Sequence, residues 1–106
     1  MITVHCVDVS GSMSAENLRE AQKQVLQRFK PRDIVAFFSI GYHIISDLER
    51  PFDSYDRTEI TGLWGGTLPR RIVQFAKDKG AKTIAYSDGF ILDQDKALFD
   101  EFVVVL

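Results

Sequence analysis

The first dozen residues constrain this chain most. Residues 2–8 form a short apolar run rich in β-branched side chains, which breaks at Ser10-Gly11-Ser12. Helical spacing follows at once: Leu18, Ala21, Val25 and Phe29 recur at steps of three and four, with Leu26 widening the stripe. A buried strand that turns directly into an amphipathic helix opens an α/β alternation. Ser14 is placed to cap the helix over 15–29, and Pro31 ends it.

The alternation continues to the last residue. Strands are expected over 33–39 and 42–48. Only Ile40 and Gly41 separate them, a gap short enough to force an antiparallel hairpin. Residues 49–66 carry Pro51, Gly62, Gly65 and Gly66 among many polar side chains and read as the long loop. A helix is expected over 67–79, with Leu68, Ile72, Phe75 and Ala76 on one stripe, Pro69 in its first turn and Gly80 just past its end. A strand over 82–87 follows, then a short helix over 94–100 that Asp93 would cap, then a last strand over 102–106.

This order predicts a doubly wound, Rossmann-like open sheet of about five strands, in spatial order 3-2-1-4-5 with strand 3 antiparallel and helices on both faces. A chain of 106 residues holds one such domain, spanning 1–106, and no second. The 13 basic and 15 acidic side chains leave a net charge of −2 with no long run of either sign, which argues against a nucleic-acid partner. The lone Cys6 forms no internal disulfide, no stretch reaches the ~18 apolar residues of a membrane span, and no basic, apolar leader opens the chain. A soluble cytoplasmic protein away from membranes is the expectation.

In such a sheet the crevice above the carboxyl ends of strands 1 and 4 is the topological switch point, where ligands usually bind. Strand 1 ends in Asp8-Val9-Ser10-Gly11-Ser12, strand 4 in Ser87-Asp88-Gly89, and the long loop delivers Gly65-Gly66-Thr67. Asp8, Ser10, Ser12, Thr67 and Asp88 thus converge as two carboxylates and three hydroxyls. That hard oxygen set suits Mg²⁺, with Mn²⁺ or Ca²⁺ also admissible, and sets zinc aside. Two carboxylates at best neutralise a divalent ion, and the adjoining helix N-terminus adds positive potential, so a partner's Asp or Glu is the natural further ligand.

These residues resemble the metal-ion-dependent adhesion site (MIDAS) of von Willebrand factor A (VWA) domains. The resemblance carries through the Asp-x-Ser-x-Ser segment, Thr67 after two glycines, and Asp88-Gly89 after a strand. It implies one bound divalent ion, commonly Mg²⁺, whose shell an acidic residue of a protein partner completes. Ser10, Ser12 and Thr67 would then be direct or near-direct ligands, and Asp8 and Asp88 would act partly through water. Members of that family are usually longer and carry a helix after the last strand, so this chain resembles a minimal version. Its Trp-Gly-Gly-Thr stretch is similar to intracellular bacterial members, and a bacterial or phage origin fits. Some such members are fused to predicted metallopeptidases or work beside AAA+ ATPases; this chain has no His-Glu-x-x-His motif.

Around that set, Trp64, Gly66, Arg70 and Arg71 are candidates for partner contact, the arginines because basic side chains in a helix's first turn oppose the helix dipole. His5 and Cys6 read as buried core side chains and His43 as an exposed edge residue. Asp47, Glu49, Asp53, Asp56 and Glu59 read as a solvated loop. Two other functions compete with a metal-dependent interaction module. One is a Mg²⁺-dependent phosphatase or phosphoryl-transfer enzyme with Asp8 as nucleophile. It lacks the Asp-x-Asp pair of haloacid dehalogenase-type phosphatases and their later motifs. The other is a mainly structural subunit. With no helix after the last strand, strands 4 and 5 are expected to be bare on the first helix's side, and the apolar stretch over 102–106 invites a homodimer.

Overall fold

A strand buried on both faces must lie inside its sheet, and the first strand meets that condition from Val4 through Asp8. The computed structural model describes residues 1–56 and 67–106. Its elements are β1 (Thr3–Asp8), α1 (Ala15–Arg28), β2 (Ile34–Phe38), β3 (Tyr42–Ile45), a 3₁₀ turn (Phe52–Ser54), α2 (Arg70–Asp78), β4 (Lys82–Ser87), α3 (Asp93–Lys96) and β5 (Glu101–Val104). The sheet runs β3-β2-β1-β4-β5, with β3 antiparallel to β2 and every other pair parallel, as the alternation predicts.

Two hydrophobic layers enclose the sheet. On one face Leu18, Ala21 and Val25 of α1 pack on Val7, Val35, Phe37 and Tyr86. On the other, Ile72, Val73 and Ala76 of α2, together with Phe99, pack on Val4, Cys6, Ala36, Phe38 and Ala85. Alternate residues of each strand serve opposite layers, the period of two that a pleated strand imposes.

Four boundaries move from their expected places. The second helix begins at Arg70 rather than at Thr67, because a residue preceding proline is driven out of the helical region, and Leu68 precedes Pro69. The Leu68 N–H donates instead to the Ser39 carbonyl at 2.7 Å. β3 ends at Ile45 and not at residue 48, since the Asp47 carboxylate accepts the N–H groups of Glu49 and Arg50 and closes a turn. α3 is a single turn from Asp93 to Lys96. Leu92, in extended conformation, takes its cap position without a side-chain bond, so Asp93 is no cap. β5 begins at Glu101.

The long loop contributes to the core, which its sequence did not announce. Phe52 and Tyr55 meet Phe37 edge-on, with ring centroids 5.2 and 5.1 Å apart. Gln22 of α1 holds this segment. Its amide donates to the Leu48 and Arg50 carbonyls at 2.9 and 3.0 Å and accepts from the Phe52 N–H at 2.9 Å. With β2 covered in this way, α1 lies over β1 and β4. The expectation that strand 4 is bare on that side is therefore wrong: Ile84, Tyr86 and Val105 are buried there, and Asn17 donates to the Val105 carbonyl at 3.2 Å. The outer edge of β5 has no neighbouring strand among the described residues, and Val104 is exposed on it. No helix of the described residues is long and apolar enough to cross a membrane.

Candidate functional site

Asp8 is the last residue of β1 and is fully buried. Its carboxylate accepts hydrogen bonds on both oxygens, from the Ser10 N–H to Oδ1 at 2.8 Å and from the Ser87 hydroxyl to Oδ2 at 2.7 Å. The first folds the chain back on itself in an Asx turn, so that the Ser10 and Ser12 hydroxyls come within 3.2 Å of each other. The Met13 N–H then bonds the Ser10 carbonyl at 3.0 Å. Ser14 starts α1 with a reciprocal capping box to Asn17, as its position before the apolar stripe predicts.

The turn after β4 brings the second carboxylate. Val7 lies beside Tyr86 in the parallel β1–β4 pair, which carries Asp8 alongside Ser87 and sets Asp88 next to both. Gly89 adopts a φ of 94°, the left-handed region open to glycine, and its N–H bonds the Ser87 hydroxyl at 3.2 Å. The Phe90 N–H bonds Asp88 Oδ1 at 3.1 Å. Asp88 Oδ2 carries no hydrogen bond among the described residues. Ser87 is the member of this cluster that the sequence reading passed over. Its signal was present: the parallel pairing that brings Asp88 to the crevice also aligns Ser87 with Asp8.

Burial raises the Asp8 carboxyl above its ordinary value. The Ser10 N–H and the Ser87 and Ser10 hydroxyls pull it back, and the negative charge of Asp88 pushes it up again. The balance stays upward, so the ionised carboxylate is under-compensated. A proton or a cation relieves that condition.

Thr67 reaches the same end of the sheet by a different anchor. The bond from the Leu68 N–H to Ser39, just beyond β2, holds the chain there. Thr67 is half-buried and lines a cavity of about 390 Å³ with Gly89, Phe90, Ile91, Leu92 and Asp95. No hydrogen bond among the described residues ties it to Asp8 or Asp88. The structure thus links Asp8, Ser10, Ser12, Ser87 and Asp88 in one network and leaves Thr67 beside it across the cavity. Among the described residues no group of three or more His, Cys, Asp or Glu side chains forms a metal cluster, so any ion held here depends on hydroxyl oxygens.

The candidates for partner contact divide. Trp64 and Gly66, with Gly65, lie outside the described residues. Arg70 and Arg71 are exposed and line a second cavity of about 420 Å³ with Leu68, Leu92, Gln94 and Asp95. Of the loop acids, Asp47 closes its turn and Asp53 pairs with Arg19 at 2.8 Å, while Glu59 lies outside the described residues. His43 is exposed and Cys6 buried, its thiol pushed up by burial.

His5 is fully buried at the opposite end of β1, with both ring nitrogens engaged: Nε2 donates to Asp33 Oδ2 at 2.9 Å, and Nδ1 meets the Tyr86 hydroxyl at 2.8 Å. A carboxylate only accepts, which fixes the proton on Nε2. Burial pushes the Tyr86 hydroxyl up, so it stays protonated beside Nδ1.

No protein-family profile matches the chain, and no curated protein matches it.

Proposed function

We propose that this chain is a metal-dependent protein-interaction module. In this reading Asp8, Ser10, Ser12, Thr67 and Asp88 hold one divalent cation, Mg²⁺ first and Mn²⁺ or Ca²⁺ as substitutes, and an acidic side chain of a protein partner completes its shell. The reading rests on the under-compensated Asp8 carboxylate, buried beside a second carboxylate at the point where the sheet's winding reverses. It agrees with the chain's resemblance to VWA domains with a MIDAS.

The donor geometry fits an ion of this class. Oxygens about 2.1 Å from an octahedral Mg²⁺ stand about 3.0 Å apart along an edge, and Ca²⁺ spaces them further. The Ser10 and Ser12 hydroxyls are 3.2 Å apart, between those cases. Each Asp8 oxygen already accepts a hydrogen bond, which suits a carboxylate acting through bound water. Asp88 Oδ2 and the serine hydroxyls are the better-placed direct donors.

Titration calorimetry with Mg²⁺, Mn²⁺ and Ca²⁺ tests the proposal. The native chain is expected to bind one ion. Thr67→Ala and Asp88→Ala are expected to weaken binding about tenfold or more, with little change in folding stability for Thr67→Ala because that side chain is half-buried. Flat titrations for all three ions would falsify the reading. Hydrolysis of a generic phosphate ester with Mg²⁺, lost in Asp8→Ala, would replace the interaction module by an enzyme.

A further inference from the structure

We infer that the partner approaches along the groove leading away from Thr67, and that this groove takes an extended peptide segment whose side chains are acidic and apolar. The inference rests on the metal-dependent reading and adds to it the chemistry of the partner.

Two adjoining cavities form the groove. The first, of about 390 Å³, begins at Thr67 and Gly89, on the rim of the oxygen cluster. The second, of about 420 Å³, continues past Leu68 to Arg70 and Arg71, and the two share Leu92 and Asp95. Three large apolar side chains stand out of its walls: Leu68 is 55% exposed, Phe90 78% and Leu92 63%. Clustered beside a polar site, such side chains mark a contact surface.

Asp95 is the observation that points to a ligand. It is only 8% exposed, yet its carboxylate has no hydrogen bond or ion pair among the described residues, and it lines both cavities. Its oxygens open onto the cavities and are not sealed in the core, so they are free to accept a donor from outside. A donor arriving with a ligand satisfies them.

The charges on the rim choose the donor. Arg70 and Arg71 occupy the first turn of α2, where no acidic residue opposes them and Pro69 supplies no side-chain cap. Neither guanidinium has a hydrogen bond or ion pair among the described residues, and the helix N-terminus adds to their positive potential. A cationic side chain is repelled there. The neutral donor available to Asp95 is a main-chain N–H, which an extended segment presents, and the guanidiniums then take its acidic side chains. One carboxylate of the segment meets the ion, an apolar side chain fills the space between Leu68 and Leu92, and a second acidic side chain pairs with Arg70 or Arg71.

Random peptides displayed on phage and panned on the Mg²⁺-loaded protein test this. The enriched peptides are expected to carry two acidic residues flanking an apolar one and to be released by chelator. The double variant Arg70→Glu, Arg71→Glu is expected to exchange the second acidic residue for a basic one while binding Mg²⁺ as before. Both positions are exposed, and glutamate suits a helix's first turn, so the variant keeps its fold. Leu92→Glu is expected to weaken a selected peptide about tenfold or more. Intact Mg²⁺ binding with no enriched peptide, or with the same peptides on native and doubly reversed protein, overturns the groove and leaves the metal site standing. Absence of Mg²⁺ binding overturns both.

Discussion

The two ends of the sheet each bury an aspartate, and they treat it in opposite ways. At the amino end Asp33 is drawn upward by burial. Hydrogen bonds from the His5 ring and from the Thr3 and Lys30 N–H groups outweigh that and hold its carboxyl below the ordinary value. At the carboxyl end Asp8 has hydrogen bonds on both oxygens and still sits above the ordinary value, because burial is deeper and Asp88 adds like charge. One carboxylate is a structural clasp between β1 and the loop before β2. The other is left short of compensation, and the proposed cation site rests on that shortfall. The comparison teaches that burial alone does not set the state of a carboxylate; the balance between burial, donors and neighbouring charge does.

The contrast can be broken in three ways. Asp33→Ala should cost the most, about 3 kcal/mol in urea unfolding, because it strands the buried His5 ring and two backbone N–H groups. A midpoint unmoved from the native one would mean that the clasp has no structural weight. Next in size, Mg²⁺ at a hundred times its dissociation constant should stabilise the native chain by about 2.7 kcal/mol. It should leave Asp8→Asn unmoved. In chelator that variant should be more stable than the native chain, since the amide removes a disfavoured charge and keeps the shape. A less stable Asp8→Asn would show that the ionised carboxylate is already well compensated.

The smallest effect is in the pH profile, where the two groups carry opposite signs. The Asp33 carboxyl is lowered in the fold, so its contribution is complete above the ordinary carboxylate value and is lost as pH falls through its folded value. The Asp8 carboxyl is raised, so the fold holds that proton more tightly than the unfolded chain does. Stability then declines as pH rises from the ordinary value through the raised one. Thermal midpoints against pH in chelator should lose the acid limb in Asp33→Asn and the upper decline in Asp8→Asn. Identical profiles for the two variants would erase the distinction.

Much of this was readable in the residues. The apolar run before Asp8, the stripe after Ser14 and the two-residue gap at Ile40-Gly41 specify strand, helix and hairpin by local periodicity, and the winding order follows from chain connectivity. Asp8, Ser10, Ser12 and Asp88 were visible because each stands where a strand ends. Less local features were hidden. Ser87 joins the cluster through a bond to a residue 79 positions away. Phe52 and Tyr55 look like loop residues until Phe37 is known to lie beneath them. Asp95 looks like any acid of a short helix until its burial and lack of partners are seen.

The sequence by itself determined the elements, their order and the oxygen atoms at the switch point, because side-chain period, turn chemistry and proline geometry act within a few residues. Only the tertiary structure decided which aspartate is satisfied and which is not. That depends on the depth of burial, the donors within reach and the sign of the neighbouring charge, all contributed by segments distant in the chain.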